Sequence, residues 1–141
     1  MALWKNIIIG ISIIVLVFVS GVIIFVRSLP DMCGNEILVE LPSPNRKMKA
    51  VAFQRDCGAT TNFSTQVTIL SIDEVLENEG GNTFSADTNH GTAPSDHEGD
   101  PEIRLRWLSE TQLQIQHHQS VRIFRSKIKI KGIDIKYATF Q

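Results

Sequence analysis

An uninterrupted apolar run from Ile7 to Val26, IIIGISIIVLVFVSGVIIFV, limits what this chain can become more than any other stretch. It holds no charge and no Pro, and its only polar side chains are Ser12 and Ser20. At about 1.5 Å per residue it spans roughly 30 Å as a helix, the thickness of a bilayer's hydrocarbon core. Leu, Ile, Val and Phe each favour insertion by about 0.3–0.6 kcal/mol, so the sum reaches several kcal/mol. Residues 1–28 are therefore expected to form a membrane anchor with a transmembrane helix over about 6–27. A retained signal-anchor is favoured over a cleaved signal peptide. The run exceeds the usual 7–15 residues or so, and the best small-x-small site, Val26-Arg27-Ser28, lies past its end.

Lys5 and Arg27 flank the run on opposite sides, so the positive-inside count barely discriminates. The short N-terminal stub, with Lys5 and a free amine, favours a cytoplasmic N-terminus. The expectation is a single-pass protein of the inner (plasma) membrane with its C-terminal domain, residues 29–141, outside the cytoplasm.

About 110 residues suffice for one core and not for two. They carry strand-like patterning throughout. Candidate strands lie at 37–41, 46–55 and 65–72, with a marginal one at 83–87. Ile103, Leu105 and Trp107 alternate with Arg104 and Arg106, and Leu113 and Ile115 alternate with glutamines. From Val121 to Tyr137 the apolar parity changes twice, which predicts an irregularity near Arg125-Ser126 and another at Gly132. Asp73–Glu79 has room for one short helix, and 88–101 reads as a long exposed loop. The fold class is mainly β: one transmembrane helix, then a small antiparallel sheet, a meander of about six strands with one packed face.

A net charge of −1 excludes bulk attraction to nucleic acid. Charge is nonetheless segregated: nine acidic side chains and no Lys or Arg from Asp73 to Glu102, then eight basic and two acidic from Arg104 to Lys136. Either the two segments attract each other or stay solvated, or the basic one faces anionic lipid, a wall polymer or an acidic partner.

Cys33 and Cys57 are the only cysteines. Outside the cytoplasm they most simply pair, closing a loop worth roughly 3 kcal/mol. The alternative makes Cys57 a nucleophile with one of His90, His97, His117 or His118 as base, an envelope hydrolase or transferase. Around Cys57, the residues Arg55, Asp56, Gly58, Thr60 and Thr61 form a candidate binding loop, a tight turn in which Asp56 and the threonines bond backbone groups. Asp96, Glu98 and Asp100 are weak metal candidates. They faintly match a calcium loop but lack its full spacing and its terminal bidentate Glu. His117 and His118 are adjacent in a strand and point to opposite faces, which argues against joint chelation. No cofactor and no catalytic residue is expected.

Cys33-Gly34-Asn35-Glu36, Pro42-Ser43-Pro44-Asn45 with Lys49-Ala50-Val51, and Arg55-Asp56-Cys57-Gly58-Ala59-Thr60-Thr61 together resemble a group of small, uncharacterised bacterial envelope proteins. The resemblance extends to Gly91-Thr92-Ala93-Pro94 and Arg104-Leu105-Arg106-Trp107-Leu108. It implies an envelope location and a domain with paired cysteines, and it supplies no catalytic residue. The expected role is non-catalytic: binding or protection in the envelope, with membrane and a protein or envelope polymer as partners. An immunity-type protein that blocks a toxin on the outer side is one concrete form.

Overall fold

The computed structural model describes residues 1–28, 32–58, 61–96 and 99–141. It divides into two compact units, Met1–Asp31 and Met32–Gln141.

The first unit is a single helix, α1 (Ala2–Ser28), slightly longer than the apolar run demands. It is apolar on every side and long enough to cross a membrane. Its serines satisfy themselves: Ser20 Oγ donates to the Leu16 carbonyl at 2.8 Å and Ser28 Oγ to that of Phe25 at 2.8 Å. A hydroxyl bonded inside its own helix is far cheaper to place in hydrocarbon than a bare one.

The second unit is mainly β, as expected, but it is built as two sheets. Strands β1 (Gly34–Pro42), β2 (Met48–Asp56), β3 (Ser64–Ser71) and β4 (Phe84–Asp87) pair in sequence order. Two short strands, β5 (Ser95–Asp96) and β6 (Asp100–Pro101), make a separate ribbon. A second sheet begins with the hairpin of β7 (Ile103–Ser109) and β8 (Gln112–His118). The chain then returns to the first sheet as β9 (Arg122–Ser126), pairing with β4. It comes back through β10 (Lys129–Ile130) to β11 (Ile133–Phe140), which lies parallel to β8. The order is β1-β2-β3-β4-β9 in one sheet and β10-β11-β8-β7 in the other.

The expected single meander is thus corrected to a sandwich. Ala50, Ala52, Val67, Ile69, Phe84 and Ala86 of the first sheet share one core with Leu113, Ile115, Ile133 and Ile135 of the second. The parity changes after Val121 have a larger cause than a local defect, because the chain switches sheets there. Ser85 and Ala86 face Arg125 and Ile123, so Phe124 is the extra residue of a bulge, next to the position the sequence marked. The second irregularity is a two-residue hairpin turn. Lys131 and Gly132 both take positive φ (47° and 79°), the combination that matches strand twist.

Three further expectations change. Residues 73–79 form no helix. They run as a strap tied down by Asn35 Nδ2, which donates to the carbonyls of Glu77 and Glu79, and by Asn78 Nδ2, which donates to that of Cys33. Among the described residues of 88–101, Thr88, Ala93, Asp100 and Pro101 are buried rather than exposed. The marginal strand at 83–87 is fully buried β4, central to the first sheet. In the 42–47 turn the left-handed residue is Arg46 (φ 54°), while Asn45 Oδ1 accepts from the Lys47 N–H at 3.1 Å.

Tyr137 on β11 is half-buried against Phe84, with ring centroids 5.8 Å apart, and its hydroxyl donates to the Lys127 carbonyl at 2.7 Å. Burial pushes its phenol up to about 12. Between its ordinary value of about 10 and that value the unfolded chain loses the proton while the folded chain keeps it. This contribution to stability is therefore whole below about pH 10 and lost as pH rises toward 12. Unfolding free energies measured across that range should fall less steeply for Tyr137→Phe than for the native chain; equal slopes would remove the assignment.

Candidate functional site

The two faces of the first sheet differ. Ala50, Ala52, Val67 and Phe84 point into the sandwich, so the alternate residues of the same strands point outward. On that outward face Arg55 of β2, Ser64 and Gln66 of β3, and Ser85 and Asp87 of β4 line a groove of about 530 Å³ with Arg122 and Phe124 of β9. Its head is the turn after β2, through Cys57, Thr61 and Asn62, and His90 enters from the turn after β4. The volume lies in the range that small ligands or side chains of a partner fill.

In the turn at the head the expected backbone bonding is present at Asp56 and Thr61. Asp56 Oδ1 accepts from the Gly58 N–H at 2.8 Å, and Thr61 donates to the Gly58 carbonyl through both its N–H (3.0 Å) and its hydroxyl (3.1 Å). Gly58 has φ 96°, a conformation closed to side chains other than hydrogen. The Cys33–Cys57 disulfide, S–S 2.04 Å, extends the β1–β2 pairing beyond Gly34 and Asp56. Arg55 donates to Asn35 Oδ1 at 2.7 Å and to Asn78 Oδ1 at 3.3 Å, joining the β2 end to the strap.

Of the five loop residues singled out from sequence, Arg55 and Thr61 reach the groove. Gly58 shapes the turn, and Asp56 borders a neighbouring hollow with Cys33, Gln54 and Phe63. Thr60 lies outside the described residues.

The strongest electrostatic feature of the groove joins residues 35 apart. Asp87, buried, takes both Nε (3.2 Å to Oδ1) and Nη2 (to Oδ2) of Arg122, and its Oδ1 also accepts from the Asn89 N–H at 2.8 Å. A forked guanidinium on a buried carboxylate is a rigid, oriented pair. Arg122 Nη1 also lies 3.2 Å from His90 Nε2. A guanidinium can only donate, so this ring nitrogen accepts and the remaining imidazole proton sits on Nδ1. The Arg122 guanidinium carbon lies 5.0 Å from the centroid of the exposed Phe124 ring. Sequence reasoning missed the pairing of Asp87 with Arg122 and the ring of Phe124 beside it; the only signal for the pair was the acid-then-base segregation.

That segregation has its answer in part. Glu74 meets Lys131 at 3.0 Å, Asp87 meets Arg122, Glu102 meets Arg104 at 2.6 Å, and Arg125 donates to the Gly81 carbonyl. The Ser71 N–H, followed by Lys131, holds the Glu74 carboxyl below its usual range, and Glu102 raises the Arg104 guanidinium.

Of the three metal candidates, the structure describes the side chain of Asp100 alone. Asp100 is buried between the hydrogen bonds of Gln54 Nε2 and Thr65 Oγ1, each 3.2 Å. The side chain of Asp96 and all of Glu98 lie outside what the structure describes, as does His97. Among the described residues no group of three His, Cys, Asp or Glu side chains could hold a metal ion. His117 and His118 do diverge. His117 is buried and stacks on Phe84 at 5.5 Å, while His118 meets the Phe140 ring edge-on at 5.9 Å. No family model, no curated protein and no solved structure matches this chain.

Proposed function

We propose that this chain is a membrane-anchored, non-catalytic binding domain of the bacterial envelope, in the manner of the small envelope proteins its motifs resemble. In this reading α1 is a retained anchor in the inner membrane, its N-terminus is cytoplasmic, and the sandwich works outside. The groove over the first sheet receives a segment of a protein or envelope polymer, and blocking a toxin is one form such binding takes. The observation that carries the proposal is the preorganisation of the groove. Arg55, Gln66, Asp87 and Arg122 are each held by hydrogen bonds within the protein, so a ligand meets fixed polar groups and an exposed ring at little ordering cost.

The catalytic alternative keeps one specific support, since Cys57 and His90 line the same groove. A thiolate there would require the disulfide to open, and a base at His90 Nε2 would require Arg122 to let go of it. Binding needs neither change.

A photo-crosslinking side chain placed at Phe124 or Asn62 in intact cells should yield one defined adduct. The same side chain at Leu38, on the β1 edge, should not. Ser85→Trp, which fills the groove from its outward face, should abolish the adduct. An adduct indifferent to Ser85→Trp, or none above background, would reject the groove as the binding site.

A further inference from the structure

We infer that the outer face of the second sheet is a separate binding surface for a linear polyanion, a chain of phosphate groups. The placement of the side chains follows from register. Leu113 and Ile115 of β8 point into the core, so Gln114 and Gln116 point out. Arg106 pairs across to Gln114 and Arg104 to Gln116, while on the other side Lys136 of parallel β11 pairs with Gln114. One rung therefore reads Arg106–Gln114–Lys136 across three strands. At about 4.8 Å per strand the two cations rise from backbones roughly 10 Å apart, with a half-buried amide between them.

The next rung, about 7 Å along the strands, brings Arg104 and Gln116. Arg104 is braced, ion-paired to Glu102 at 2.6 Å and lying 4.3 Å from the Phe140 centroid. Arg106 and Lys136 are exposed and make no ion pair among the described residues. The nearest carboxylate on β11, Asp134, is matched by Lys129 at 3.5 Å. What remains is a strip along β8 with amides at its centre, Arg104 and Arg106 on its β7 side and Lys136 on its β11 side. A phosphate offers two anionic oxygens, enough to take a guanidinium fork and an amide donor together. The sheet is twisted, so its cations follow a turning line that a flexible chain can track and a flat membrane surface cannot.

The full chain in phosphatidylcholine nanodiscs, titrated with long-chain polyphosphate, tests this. The native protein should bind. The double variant Arg106→Gln with Lys136→Gln should weaken binding by roughly tenfold or more at low salt and reduce the log–log salt slope by about two. Ser85→Trp, in the groove of the other sheet, should leave it unchanged, so failure of the groove proposal would not be mistaken for failure here. An unchanged thermal melt shows that the double variant is folded. Equal binding by native protein and double variant would overturn the inference. So would no binding of polyphosphate, or retention on phosphatidylglycerol vesicles without it, which would make the partner a membrane surface.

Discussion

Phe84→Ala should destabilise the sandwich by about 3–5 kcal/mol. Phe84 is fully buried on β4, in the first sheet, and its ring meets His117 of β8 and Tyr137 of β11, both in the second. The side chain is thus the bolt between the layers. Ala50, Ala52 and Ala86 of the same core are too short to close over the space its loss would leave. A cavity that cannot collapse adds its own cost to the lost transfer energy. His117 would suffer as well, since the removed ring covers the face of a buried imidazole whose Nδ1 bonds the His118 carbonyl at 3.0 Å. Guanidinium unfolding of the full chain in nanodiscs, followed by near-ultraviolet circular dichroism, measures the loss. A change below about 1 kcal/mol would mean that the two sheets do not pack through Phe84.

Why β4 looked marginal in the sequence is instructive. Phe84-Ser85-Ala86-Asp87 has one large apolar residue, and period-2 alternation over four residues is weak evidence. Its burial comes from position: it lies between β3 and β9, and β9 follows it by 35 residues. The N-terminal helix was legible because a run of twenty residues with only two polar side chains admits few structures, and β7 and β8 because apolar and polar residues alternate from Ile103 to Trp107 and from Gln112 to Gln116. The sheet switch at β9 was not legible as such. A parity change records that a strand has been interrupted, and a bulge, a turn and a change of sheet all produce it.

The same limit governs the site. The turn from Asp56 to Thr61 is local, so its Asx bond and left-handed Gly58 follow from adjacent residues. The Asp87–Arg122 fork depends on the register of β4 with β9, which no local pattern carries. The helix expected at 73–79 failed for a related reason. Asn35 and Asn78 bind the strap across more than forty residues, and several long-range bonds outweigh the weak helical preference of so short a segment.

Replacing both cysteines, Cys33→Ser with Cys57→Ser, should cost about 3 kcal/mol, from the loop entropy of a bond between residues 24 apart. The loss should not be spread evenly. The bond closes the free end of the β1–β2 pair, where β1 is an edge strand and Ile37, Leu38 and Val39 are half-exposed. Cys57 also heads the groove, so the turn that presents Arg55 and Thr61 loses its fixed end. Reduced stability together with weaker adduct formation at Phe124 is the expected result. A catalytic Cys57 would instead lose an activity with the melt unchanged, so one pair of variants separates the two readings. Labelling intact cells with a membrane-impermeant thiol reagent adds the compartment. Cys33 and Cys57 should react only after reduction, since paired sulfurs in an oxidising compartment offer no thiolate. Labelling without reduction would reject the staple and return Cys57, beside His90, to candidacy for chemistry.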